Sequence, residues 1–170
     1  MMNESNTLAA ASFSSAAFAA ATRLIWREAE LLDRKNYTAW LDLWTTGGFY
    51  VIPIDPDTED FAASLNYVYD DQTMRGLRVE RMSGGYSASA SDAARTVRSV
   101  SRFVAGELTD DIIEIRSSQI VAANKRGVTT LFGADLTHRI RVANDQAWIV
   151  DKVIRLIDSH EALSAIGFLL

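Results

Sequence analysis

Apolar and polar positions recur along this chain in two rhythms, and the change from one to the other divides it. From about Phe13, residues repeat at steps of three and four: Ala17, Ala21, Leu24, Glu28 and Leu31 on one line, Phe18, Ile25 and Leu32 beside it. That spacing predicts an amphipathic helix, and Ala, Leu, Arg and Glu, which dominate the stretch, are good helix formers. Asn36 is placed to cap a second, short helix carrying Trp40, Leu41, Leu43 and Trp44, which Gly47 and Gly48 stop. Phe49–Ile54 predicts a strand that Pro53 pushes to an edge or an end. A polar loop is expected over Asp55–Asn66, a third helix over Tyr69–Met82, and a further loop over Ser83–Asp92.

The second rhythm begins near Arg95. Four runs rich in β-formers follow, at about Arg95–Leu108, Asp111–Ala123, Val128–Val142 and Ala147–Ile157. Thr109–Asp110, Lys125–Gly127 and Asn144–Asp145 separate them, and connections so short imply antiparallel neighbours in a meander. In the third run, Phe132, Ala134, Leu136 and Ile140 alternate with Asp135, Thr137, Arg139 and Arg141, so one face is expected on a core and the other outside. Runs this long must twist and curl, with Gly133 the natural place for a bend or bulge. In the last run, simple alternation puts Ile149, Val153 and Ile157 on one face, and Trp148, Val150, Ile154 and Leu156 on the other. Helices followed by a curled antiparallel sheet predict an α+β cone, with the helices laid in its concave face.

Composition narrows the function classes. At 170 residues with 48% hydrophobic content, one domain is expected, over residues 13–170, after a leader of residues 1–12. A net charge of −5 gives no bulk attraction to nucleic acid or anionic lipid. The start carries Glu4 and no basic segment, which argues against a signal peptide. No apolar run reaches the roughly 20 residues of a membrane span, so a cytoplasmic protein without membrane or nucleic-acid partners is expected.

The chain has no cysteine, which removes disulfides, thiolate nucleophiles and iron–sulfur ligation by this chain alone. Its two histidines, His138 and His160, with a carboxylate such as Asp158, could arithmetically form a two-His-one-carboxylate iron site. Their spacing does not bring the rings together: His138 falls on the apolar side of its strand, and His160 lies beyond the last strand, near a short C-terminal helix. Asp70 and Asp71, next to Tyr67 and Tyr69, could supply a general base, although both also fit the first turn of a helix, where negative charge meets the helix dipole. Arg75, Arg78 and Arg81, followed by Arg95, Arg98 and Arg102, could serve an anion or a subunit interface. Strand alternation sets Arg95 on the face opposite Arg98 and Arg102. Trp148, on a last run whose two faces both need cover, joins the interface candidates.

The order of several short patterns resembles a known family. Arg27–Leu32 (REAELL), Asp33, Tyr37-x-x-Trp40-Leu41-x-Leu43, Tyr50-x-x-Pro53 and Tyr69-Asp70-Asp71 are similar to the opening of the β subunits of aromatic-ring-hydroxylating dioxygenases. Arg78-Val79-x-Arg81-Met82, Arg95-Thr96-x-Arg98 and Trp148-Ile149 through Arg155-x-Ile157-Asp158 to Phe168-Leu169-Leu170 continue the likeness. Ala93-Ala94 and Arg102 depart from it. The resemblance implies a nuclear-transport-factor-2-like (cystatin-like) cone without catalytic, cofactor or metal residues of its own. It also implies a homotrimer assembled with a catalytic α subunit as α3β3, in which the α subunit carries a Rieske [2Fe-2S] cluster and mononuclear iron. The rival is a stand-alone enzyme resembling the dehydratase and isomerase members of the same fold, which implies Tyr50, Asp70 and His138 as an acid/base set, or a small-molecule binding module.

Overall fold

The computed structural model describes residues 16–84, 94–160 and 167–170. Helix α1, Ala16–Asp33, turns one face inward, burying Phe18, Ala21, Leu24, Ile25, Leu31 and Leu32. Helix α2, Tyr37–Leu41, begins at Asn36, whose side chain accepts from the Ala39 N–H at 3.3 Å and so satisfies one of the donors a helix start leaves open. It is shorter than the sequence suggests. Leu43 and Trp44 lie beyond it, and Trp44 instead bridges to Ile149 of the sheet.

Strands β1 (Tyr50–Pro53) and β2 (Asn66–Asp70) follow, then helix α3 (Gln72–Ser83) and the long strands β3 (Arg95–Thr109), β4 (Ile112–Lys125), β5 (Val128–Ala143) and β6 (Gln146–Leu156). They form one six-stranded sheet in the order β2-β1-β6-β5-β4-β3. Every neighbouring pair is antiparallel except β1 with β6. Helix α1 packs across β3, β4, β5 and β6, so the predicted helices-on-a-meander arrangement holds.

Two further local expectations fail. Residues 66–70, read as the end of a loop and the start of a helix, are β2. Tyr67, Val68 and Tyr69 favour extended backbone, and Asn66, Val68, Tyr69 and Asp70 pair with β1, so the helix starts later, with Asp71 as its cap, accepting from the Met74 N–H at 2.8 Å. Gly133 is not a bulge, because β4 and β5 pair without a slip through it; a Cβ there would come 3.0 Å from Ile157. The slips lie elsewhere, after Ser101 and Ala105 in β3 and between Arg139 and Ile140 against β6.

A bulge resets strand parity. Past the slip, Ile149 pairs with Ile140 and joins the buried inward row of Lys152, Ile154 and Leu156, whereas simple alternation groups it with Val153 and Ile157. Gly48 belongs to the same irregularity: a Cβ there would overlap the main-chain carbonyl of Val150. Pro53 sits at the end of β1, where the register against β2 slips. The leader, the Ser/Gly loop beyond Gly84 and the short helix expected after His160 fall outside the described residues.

Candidate functional site

Glu28 stands on the buried line of α1, where a helix normally presents an apolar side chain. Its carboxylate is fully engaged. Oε1 accepts from the Trp40 indole N–H at 2.9 Å and from Lys152 Nζ at 3.0 Å, while Oε2 lies 3.0 Å from His138 Nε2. The four side chains come from α1, α2, β5 and β6, and His138 and Lys152 are cross-strand partners. Lys152 also donates to the main-chain oxygen of Leu170 at 3.0 Å, which accepts from the Tyr50 hydroxyl at 3.1 Å. Trp40, Trp44 and Tyr50 pack edge to face around this polar centre.

Electrostatics fixes the protonation states. Burial pushes the Glu28 carboxyl up, but Lys152, His138 and Trp40 together outweigh it and hold it at about 2. Burial lowers His138 below its ordinary value against the pull of Glu28, and it lowers Lys152 likewise. The consistent assignment is an ionised Glu28 paired with Lys152, beside a neutral His138 that donates through Nε2–H. Nδ1 is then a bare acceptor, and among the described residues it has no hydrogen-bond partner. A neutral imidazole fits because Lys152 already supplies the counter-charge, and a second buried cation would be costly. Burial also pushes the Tyr50 hydroxyl well above its ordinary value, so it remains a donor.

The sequence-derived residues are dispersed differently. Tyr50 and His138 both reach this cluster, but the carboxylate facing His138 is Glu28. Asp70 is buried and held by a two-pronged contact from Arg78. Asp71 is a helix cap. Arg75 lies over the Trp44 ring, 4.1 Å from its centroid, and donates to the Gly48 carbonyl. Arg98 is turned inward onto Asp33 and the Leu169 carbonyl. The slip after Ser101 carries Arg102 onto Asp135, on the outer face shared with Arg95, which breaks the predicted grouping of Arg98 with Arg102. Arg81 and Arg95 are exposed and Trp148 is half-buried. His160 is exposed on the turn after β6, remote in role from His138. Among the described residues no three His, Cys, Asp or Glu side chains converge on a metal. A Rieske cluster requires thiolates that this sequence lacks, so the donor set here does not fit that group.

A family profile described as the ring-hydroxylating β subunit matches residues 27–161. The chain belongs to that family. It is 28% identical to the anthranilate 1,2-dioxygenase small subunit of Acinetobacter baylyi over 74% of this chain and 80% of that one. It is 30% identical to the small oxygenase component of the p-cumate 2,3-dioxygenase system of Pseudomonas putida over 76% and 73%. In structure it is similar to the β subunit of benzoate 1,2-dioxygenase from Burkholderia mallei, with a TM-score of 0.72 and 19% identity over 87% and 94% of the two chains. The cone is the NTF2-like, cystatin-like fold. The family is that of the small subunits of ring-hydroxylating dioxygenases, which are oxidoreductase complexes. Glu28 and Lys152 were missed from sequence, although a Glu on the apolar line of a helix and a Lys inside the run Ile149–Leu156 were both signals.

Proposed function

We propose that this chain is a non-catalytic assembly subunit: three copies close into a ring, and the ring carries three catalytic large subunits of a Rieske non-haem iron aromatic-ring-hydroxylating dioxygenase. The large subunit would hold the [2Fe-2S] cluster and the mononuclear iron. The setting proposed is the cytoplasm, where a cysteine-free chain is at home.

The outer face of the sheet carries this reading. Strand register aligns Val97, Ala122 and Leu131 in one row across β3, β4 and β5, and Ile120 with Gly133 in the next, where Ile157 closes over Gly133. Val97 is 69% exposed, Ile120 55%, Leu131 65% and Ile157 80%. Two adjoining rows of bare apolar side chains on one face are the kind of surface that a partner covers. A ring of three needs two complementary patches on each copy. Exposed Arg81, Arg95 and Arg102, with Trp148, are the proposed polar rim, whereas Arg78 and Arg98 serve the interior. The rival acid/base reading finds less support, because Arg78 holds Asp70 while His138 faces Glu28.

The test is a Leu131→Glu, Ile120→Glu double variant, sized by light scattering alone and with the large subunit. Exposed positions tolerate such changes within about 0.5 kcal/mol each. Each chain should therefore stay folded, with an unchanged circular-dichroism spectrum, while the trimer mass falls to that of one chain. A variant that stays trimeric, or a wild-type chain that is monomeric in the complex, would refute the proposal.

A further inference from the structure

Residues 167–170 belong to no helix or strand, yet the last two are buried. Leu169 and Leu170 are buried in the main core, and Phe168 packs edge to face on Phe132 with ring centroids 5.5 Å apart. Buried backbone must find partners, and here side chains supply them. The Leu170 oxygen takes Lys152 Nζ and the Tyr50 hydroxyl, the Leu170 N–H donates back to the Tyr50 oxygen at 3.1 Å, and Arg98 holds the Leu169 carbonyl. The three holders come from β6, β1 and β3, and each has a buried side chain. Each is also fixed from behind: Lys152 by Glu28, Arg98 by Asp33, and Tyr50 by the edges of Trp40 and Trp44.

We propose that the interior of the cone is a binding site for a short apolar peptide segment, and that residues 168–170 occupy it in cis. The site reads two things. Apolar walls accept leucine-sized side chains, and a preorganised set of one hydroxyl, one ammonium and one guanidinium reads main-chain oxygens. Side chains anchored to the sheet make these contacts, so the recognition surface persists when the tail is removed. It then accepts the same chemistry from outside: a short apolar peptide that presents main-chain oxygen acceptors. An outside ligand cannot enter while the tail is seated.

The experiment uses a chain shortened to residues 1–167 and the probe acetyl-Phe-Leu-Leu, with acetyl-Phe-Asp-Asp as control. Loss of two buried leucines should lower the melting temperature by on the order of 10 °C. The apolar probe should restore most of that loss, the acidic control none of it, and the full chain should bind neither. A shortened chain that melts like the full one, or that folds and ignores the apolar probe, overturns the proposal. Should the shortened chain fail to fold, the full chain of residues 1–170 decides through carboxypeptidase release of Leu170. Release should be slow in the wild type and about tenfold faster in Tyr50→Phe, which loses both hydroxyl contacts to Leu170. Release from the folded wild type as fast as from urea-unfolded chain, or an unchanged rate in Tyr50→Phe, overturns it as well.

Discussion

Replacing Glu28 by Gln keeps the shape of the side chain and removes its charge, and the structure makes the consequence calculable. The carboxylate answers Trp40, His138 and Lys152 at 2.9–3.0 Å in a buried site. In Glu28→Gln the Lys152 ammonium stays buried without its counter-ion, and the new amide presents N–H groups to a carboxylate-shaped pocket already lined with donors. Breaking a buried ion pair by removing one partner costs about 3–5 kcal/mol, a large share of the roughly 5–15 kcal/mol that holds a domain folded. Lys152→Met should cost a similar amount by stranding Glu28. The double variant removes both charges, so its loss should fall short of the sum of the single losses by about 2 kcal/mol. Urea unfolding of the four chains at pH 7 measures all three quantities. A Glu28→Gln loss below about 1 kcal/mol, or simple additivity in the double variant, would refute the claim that the pair is a buried structural tie.

Three further outcomes follow from the same geometry. The Glu28 carboxyl ordinarily titrates at 4.5 and is held at about 2 in the fold, so its contribution is complete above pH 4.5 and drains as pH falls towards 2. The gap is worth about 3 kcal/mol. The lowered His138 acts in the same sense from its ordinary 6.5 downwards. Urea midpoints should therefore fall between pH 6.5 and 3, less steeply in Glu28→Gln, and equal slopes would count against the cluster. Gly48→Ala drives a Cβ into the Val150 carbonyl and should cost about 3 kcal/mol or more by displacing the β6 bulge; an unchanged melting curve would remove that glycine from the account. Asp71→Ala deletes the cap of α3 and should cost about 1 kcal/mol that added salt does not remove, whereas a loss that high salt abolishes would mark Asp71 as a first-turn charge and not a cap.

The long-range plan of this protein was written in its periodicity. Steps of three and four before residue 34 and alternation after residue 95 each signal one kind of packing surface, and the turns between the long strands leave few ways to pair them. Local slips were not legible. A bulge is a property of two strands together, so the parity of Ile149 and the face of Arg102 could not be read from either strand alone. β2 was hidden because five residues with Asp70 at their end read equally well as a helix start, and only pairing with β1 decides. The polar centre was half visible. His138 stands out as a rare residue on an apolar face, and Glu28 and Lys152 each interrupt an apolar line, but nothing in the sequence ties Glu28 to Lys152, 124 residues away.

The most direct test is co-expression with a large dioxygenase subunit, followed by sizing and iron analysis of each fraction. The two chains should elute as one large species holding all the iron, and the small chain alone should hold none and turn over no arene. Stoichiometric iron or arene turnover in the isolated chain, or two proteins that elute apart, would contradict it.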